Sequence, residues 1–143
     1  MIEGGARVLS FDELAVGLKA TLDARLTPEL IDGFARLTGD MNPLHTSAEF
    51  AKSKGFPDRL AHGLLTAAFF STVCGMLLPG RDCVLQSVKV DFRKQVPAGT
   101  ALTLEAVVVQ KIDAVRAVVL EISARDAAGV VVLSGKIQAG VLA

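Results

Sequence analysis

The sequence has no tryptophan or tyrosine, and only two cysteines and two histidines among its 143 residues. Its 15 basic and 15 acidic side chains cancel, so no excess of positive charge attracts a phosphate backbone. With no basic cluster, binding to nucleic acid has little support. Cys74 and Cys83 do not make a disulfide framework, and Cys74 lies in an apolar run where it is expected to be a small core residue.

Several catalytic and cofactor motifs are also missing. His45 and His62 do not form an H-x-x-x-H pair and have no cysteine at a zinc-ligand spacing, so we predict no metal site. A G-x-S-x-G elbow, a phosphate-cradling glycine loop and a G-x-G-x-x-G turn are absent, which argues against serine hydrolases and nucleotide-binding proteins. We expect no bound cofactor.

The length predicts a single domain, residues 1–143, because no repeat or linker-like segment divides the chain. The first residues include Glu3, Arg7 and Asp12 without an apolar run, so we expect no signal peptide and a cytoplasmic protein. Apolar residues make up 51% of the sequence. A neutral chain of this composition tends to cover part of its surface with a partner, so we expect an oligomer.

The longest uncharged run, residues 61–78, approaches the length of a membrane-spanning helix. It contains His62, Gly63 and several hydroxyl side chains, and amphipathic segments follow it. A buried central helix therefore fits the run better than a membrane span.

Two shorter helices are predicted before this run. The first starts at Thr27, a capping residue followed by proline, and ends at Gly39. The second starts at Ser47, continues through residue 54 and is expected to bury Phe50. The apolar face of the first helix is expected to contain Leu30, Ile31, Phe34 and Leu37.

Alternation of apolar and polar residues with a period of two predicts five strands. They are expected at residues 17–26, 84–93, 102–111, 115–125 and 130–141. One long apolar helix together with long strands of mixed faces predicts an α+β fold, in which a curved antiparallel sheet wraps around the helix. The segment before the first strand is expected to be irregular and held down by Phe11 and Leu14.

Both histidines lie within residues 38–65, and this clustering is the strongest functional signal in the sequence. Asn42-Pro43 between Asp40 and His45 predicts an ordered turn rather than a helix, because proline pushes its preceding residue out of the α region. Such a turn can aim a carboxylate and an imidazole at one water as an acid/base pair. On spacing alone, a turn in which Asp40 only satisfies backbone amides is an alternative.

The same residues carry a family resemblance. Residues 39–45 (Gly-Asp-Met-Asn-Pro-Leu-His) and 61–65 (Ala-His-Gly-Leu-Leu) resemble the hydratase motif of the MaoC-like family, the (R)-specific enoyl-CoA hydratases. Residues 92–100 (Phe-Arg-Lys-Gln-Val-Pro-Ala-Gly-Thr) are similar to a second family motif at the end of a strand. Arg59 and Gln95 depart from the pattern, because prolines are common there in the family.

The resemblance implies the α+β hot-dog fold and the hydration of a trans-2-enoyl-CoA to the (R)-3-hydroxyacyl-CoA. Asp40 and His45 would form the catalytic dyad. The backbone N–H of Gly63, at the positive amino end of the long helix, could bind the thioester oxygen. The expected substrate is an acyl-CoA or acyl-carrier-protein thioester, and the expected assembly is a homodimer or a dimer of dimers.

Each further site residue has a structural alternative. Gly63 could instead permit close packing of helix on sheet, and Asn42 could orient the dyad or simply form the turn. His62 is expected to donate to a backbone carbonyl, which is more often a structural role. Ser71 matches a site serine of the family motif, but a serine in an apolar helix usually bonds to the preceding turn's carbonyl.

Two rival functions use the same fold: thioester hydrolysis, and acyl binding by a non-catalytic subunit. Asp40 and His45 argue against the second. A carrier-protein partner would require a basic patch at the mouth of the site. Its candidate residues are Arg59, Arg81, Arg93 and Lys94.

Overall fold

A computed structural model describes residues 4–143 as a five-stranded sheet with one helix packed against it. The strands are β1 (Lys19–Arg25), β2 (Cys83–Phe92), β3 (Ala101–Ile112), β4 (Ala117–Asp126) and β5 (Val131–Val141). Their order across the sheet is β1-β3-β4-β5-β2, and all neighbours are antiparallel. The predicted α+β fold and its five strands are confirmed, with strand ends that differ by a few residues.

Four α-helices accompany the sheet. They are α1 (Pro28–Thr38), α2 (Pro43–Thr46), α3 (Ala48–Ser53) and α4 (Gly63–Thr72). The predicted central helix starts two residues later than expected, because the N–H of Ala61 donates to the carbonyl of Val96 instead of entering a helix. After α4 the backbone widens into a π-helical segment, Val73–Leu77. Within residues 4–143, no helix is both long enough and apolar enough to cross a bilayer.

The core lies between α4 and the sheet. Alternate residues of β3 and β4 point into it, which is why their burial follows a period of two over most of each strand. Phe11, Leu14 and Cys74 are buried there as predicted. Burial raises the pKa of the Cys74 thiol to about 12, so it stays protonated and behaves as an apolar core group.

The caps of α1 are confirmed, but its predicted apolar face is only partly buried. The Oγ1 of Thr27 accepts the N–H of Leu30 at 3.3 Å, and Gly39 ends the helix in the left-handed conformation. Ile31 is fully buried, whereas Leu30 and Leu37 are exposed. Ile31 and Ala35 are the buried residues of the helix, and Phe34 is partly buried against the core.

The prediction that Phe50 is buried in α3 is wrong. Ser47 caps this helix as expected, through an N–H of Phe50 at 3.2 Å. That start places Ala48 and Ala51 on the inner face, one turn apart, and Phe50 points about a quarter-turn away. Ala51 is therefore the buried residue, and Phe50 is exposed.

Gly33→Ala is expected to raise the free energy of unfolding by about 0.5–1 kcal/mol, because glycine in a helix interior costs about that much relative to alanine. A Cβ at position 33 would meet no heavy atom within 4 Å. Gly39→Ala is the matched variant at the end of the same helix, where φ is +80°. It should lower the free energy by about 1 kcal/mol. Urea denaturation measures both, and a lower midpoint for Gly33→Ala would contradict the expectation.

Candidate active site

Asp40 and His45 are brought together by the chain between α1 and α3. Gly39 turns the backbone out of α1, and the carboxylate Oδ1 of Asp40 then accepts the N–H of Asn42 at 3.2 Å. The side chain of Asn42 accepts the N–H of Leu44 at 2.9 Å, which caps α2. Asn42 therefore forms the turn and caps α2, which is the structural role expected for it.

Residues 40–45 are predicted to form a turn rather than a helix, and this prediction is wrong for residues 43–45. Pro43 begins the one-turn helix α2, and His45 lies on it. The local signals explain this: Pro43 holds Asn42 in a non-helical conformation, where an asparagine is a good N-cap, and proline is favoured at the first helical position. The turn therefore starts a helix instead of replacing one.

The tautomer of His45 follows from its hydrogen bond. Its Nδ1 lies 2.8 Å from the carbonyl oxygen of Leu60, and a carbonyl can only accept, so Nδ1 carries the proton. The neutral ring then has its lone pair on Nε2. The N–H of Leu60 also donates to the carbonyl of Leu44, at 2.8 Å, so α2 is tied to the segment before α4. These two bonds hold the ring of His45 in one orientation.

His62 is buried and contacts both His45 and Asp40. Its ring stacks on that of His45, with centroids 3.8 Å apart and planes inclined by 26°. Its Nε2 lies 3.1 Å from the backbone carbonyl of Asp40 and 3.9 Å from the carboxylate Oδ2. The ring of Phe34 packs 4.9 Å away. The predicted bond to a backbone carbonyl is therefore present, and it holds Asp40 beside the two imidazoles.

One carboxylate oxygen of Asp40 and one ring nitrogen of each histidine lie within 4.8 Å of one another. Two acceptors at such a separation can hold a single water between them, since each hydrogen bond spans about 2.8 Å. A shared metal ion fits less well. The lone pairs of an imidazole lie in the ring plane, so two nearly parallel rings do not aim them at one point. The trio is suited to proton transfer.

A cavity of about 330 Å³ opens beside His45, between the start of α4 and the ends of β2 and β5. Its wall is formed by His45, Leu60, Ala61, Gly63, Leu64, Thr66, Phe92, Lys94, Gln95, Val96, Val132 and Leu133. Asp40 is outside this wall, with its side chain half exposed. The lining is mainly apolar with a few polar groups, as is usual for a small-molecule site. We name it the His45 cavity.

Gly63 lies in the wall of the His45 cavity as the first residue of α4. Within residues 4–143, its N–H and that of Leu64 have no hydrogen-bond acceptor, as is usual for the first turn of a helix. A Cβ at position 63 would lie 2.9 Å from the ring of Phe92. A side chain at position 63 would therefore require the ring of Phe92 or the start of α4 to shift, and the glycine leaves an unpaired N–H in the first turn of α4.

Ser71 does not lie in the wall of this cavity. It lies on the exposed side of α4, away from the His45 cavity.

Arg59 has a role that the sequence did not suggest. Its guanidinium bonds to the carboxylate of Asp32 at 2.6 Å and to the carbonyl of His45 at 3.3 Å. The hydrogen bond from Arg59 lowers the pKa of Asp32. The guanidinium thereby joins α1 to α2, the helix that bears His45. The only signal in the sequence was an arginine where the family often has proline.

The four residues of the candidate basic patch are all paired with other residues of the chain. Arg59 is nearly buried in the pairing just described. The other three residues are also paired: Arg81 with Asp82, Arg93 with Ser134, and Lys94 with Asp126. These exposed pairs are weak, so they do not prevent binding of an anion, and Lys94 also lies in the wall of the His45 cavity.

Residues 13–128 match the family described as MaoC like domain. A 3-hydroxybutyryl-CoA dehydratase of Methylorubrum extorquens is 41% identical over 106 residues, which cover 74% of this chain and 68% of that protein. An (R)-specific enoyl-CoA hydratase of Aeromonas caviae is 35% identical over 68% of this chain and 72% of its own.

Two solved structures that superpose on this chain are also hydratases. An unliganded R-hydratase from Pseudomonas aeruginosa superposes with a TM-score of 0.88 at 29% identity, covering 92% of this chain and 84% of that one. The (R)-hydratase from A. caviae involved in PHA biosynthesis gives 0.87 at 29% identity, covering 90% and 98%. The hot-dog arrangement expected from the sequence is confirmed.

Proposed function

The chain belongs to the family of MaoC-like dehydratases, which are hydro-lyases, and we propose that Asp40 and His45 carry out its reaction. That reaction is the addition of water to a trans-2-enoyl-CoA, giving the (R)-3-hydroxyacyl-CoA, and the reverse dehydration. The observation that carries the proposal is the approach of the Asp40 carboxylate and the His45 ring to within reach of one water.

The roles follow from the hydrogen bonds. The Nε2 of His45 is unprotonated and accepts a proton from the water, while the carboxylate of Asp40 accepts the second O–H and orients it. The water oxygen forms the bond to Cβ, and the electron pair of the double bond moves toward the thioester oxygen. The proton on His45 then passes to Cα. Both new bonds form on one face of the substrate, because one water and one imidazole supply them.

Negative charge on the thioester oxygen requires a donor in the transition state. The unpaired N–H of Gly63 supports this role, since it lies in the wall of the cavity at the positive end of α4. Charge that develops against a preorganised donor is stabilised without reorganisation of solvent.

The test is a hydration assay on crotonyl-CoA and longer trans-2-enoyl-CoAs. We expect the enoyl absorbance to decrease, no free thiol to appear, and chiral analysis to show the (R)-3-hydroxyacyl product. Release of free thiol would instead identify a thioesterase. Binding of acyl-CoA without turnover at any chain length would identify a non-catalytic subunit. Enoyl-CoA is chosen over carrier-protein thioesters because the relatives named above act on CoA esters.

We propose further that the protein forms a homodimer through β2. Within residues 4–143 this strand pairs with β5 alone, so its outer edge has no neighbouring strand in that part of the chain. Exposed apolar side chains follow it: Val84, Leu85, Val88 and Phe92. An open edge with apolar side chains is unfavourable unless it is covered, and a second copy related by a two-fold axis would cover it.

Val88→Lys is expected to convert the dimer to a monomer, because a charge would have to be buried where the two strands meet. Size-exclusion chromatography with light scattering measures the mass. Val130→Lys is the matched control, since Val130 is also exposed but lies in the turn before β5. A wild-type protein that is monomeric, or a Val88→Lys variant that stays dimeric, would contradict the proposed interface.

A further inference from the structure

Thr66 carries a buried hydroxyl group that has no hydrogen-bond partner among residues 4–143. The residue is only 2% exposed. A threonine inside a helix usually donates to the carbonyl four residues earlier, which here belongs to His62. That carbonyl instead accepts the N–H groups of Leu65 and Thr66, at 3.1 and 3.2 Å, and no bond from the hydroxyl. Leaving a buried hydroxyl unpaired costs about 1–3 kcal/mol.

Thr66 is one of the residues that form the wall of the His45 cavity. Side chains of an α-helix lean toward its amino end, so the side chain of Thr66 lies over the first turn of α4. Gly63 begins that turn and lines the same cavity. Two residues whose donors have no partner within residues 4–143 therefore share one wall with His45.

We propose that the Thr66 hydroxyl donates a hydrogen bond to the thioester carbonyl oxygen of the substrate, as a second donor beside the N–H of Gly63. The inference rests on the proposed hydratase function and names a residue that completes it. As the carbonyl becomes an enolate, its oxygen gains charge and can accept two hydrogen bonds. The bound substrate thus satisfies a polar group that the free protein leaves unpaired.

This role predicts opposite effects on stability and on activity. Thr66→Val keeps the shape of the side chain and removes only the unpaired hydroxyl, so the Tm should be unchanged or higher. The kcat for crotonyl-CoA hydration should fall by about a hundredfold, the usual loss of one such donor, with little change in KM. Thr66→Ser restores a hydroxyl and should recover most of the kcat. Thr72→Val is the control, because Thr72 is half-buried at the other end of α4 and outside the cavity.

A spectroscopic measurement separates a bond to the carbonyl from an indirect effect. Crotonyl-CoA labelled with ¹³C at the thioester carbon would be bound to Asp40→Asn, in which turnover is slow, and the carbonyl stretch recorded by isotope-edited infrared spectroscopy. Adding Thr66→Val should move this stretch to higher wavenumber, because a polarising donor is lost. An unchanged stretch would overturn the inference.

The failures of the two proposals are distinguishable. A wild-type protein that hydrates no enoyl-CoA contradicts the proposed function itself. A wild-type protein that is active, with a Thr66→Val variant of equal kcat, or one that changes only KM, overturns the role of Thr66 alone.

Discussion

Asp40→Asn and His45→Ala are each expected to lower kcat for the hydration of crotonyl-CoA by at least about a hundredfold, the usual contribution of a positioned acid or base. The asparagine keeps an oxygen that can accept the N–H of Asn42, so the loop retains its shape while the charge is lost. The alanine removes the Nε2 that accepts the proton of the water. Initial rates from the enoyl absorbance measure both effects.

Controls separate loss of chemistry from loss of structure. Glu49→Gln removes an exposed carboxylate from the neighbouring helix α3 and should leave kcat unchanged. Asp40→Asn should keep the Tm, whereas His45→Ala should lower it, because the carbonyl of Leu60 loses its donor. Near-normal turnover in both dyad variants would show that the water is activated elsewhere.

Gly63→Ala is expected to reduce kcat by about a hundredfold, since misplacing a site group by about 1 Å costs that much. The new Cβ would lie 2.9 Å from the ring of Phe92, so either the ring or the start of α4 must move, and the N–H moves with the helix. Gly33→Ala is the control for the same substitution in a helix without a close neighbour.

The double variant Gly63→Ala/Phe92→Leu distinguishes the two roles of this glycine. A smaller side chain at position 92 makes room for the Cβ. Recovery of kcat in the double variant would show that the loss came from packing against Phe92, as in a double-mutant cycle with strong coupling. Persistent loss would show that the Cβ obstructs the substrate at the N–H. A single variant with wild-type kcat would remove Gly63 from the site.

Local features of the fold could be predicted because their causes are local. Thr27 and Gly39 bound α1 through a side-chain cap and a left-handed backbone, and both signals lie within the helix's own residues. The strands follow from alternation with a period of two, which is typical of one buried face. The approach of Asp40 to His45 follows from a short segment containing one proline, although this segment proved to begin a helix.

Predictions of burial failed where the position of an element against the sheet decides exposure. Leu37 and Phe50 are apolar and helical, yet both are exposed, because α1 buries Ile31 and Ala35 and α3 buries Ala51 instead. Ser71 matches a family position, yet it is on the outer side of α4 and outside the His45 cavity. Periodicity tells which residues share a face, but not which face meets the core.

The sequence by itself determined the strands, the caps and the pair of residues that carry the proposed chemistry, because each depends on neighbours a few residues apart. Only the tertiary structure decided which nitrogen of His45 carries the proton, since the carbonyl of Leu60 is fifteen residues away. It also decided that Phe92 packs against Gly63 and that the Thr66 hydroxyl has no partner among residues 4–143. These features require α4 to be packed against the ends of β2 and β5, and such contacts join residues that no local pattern relates.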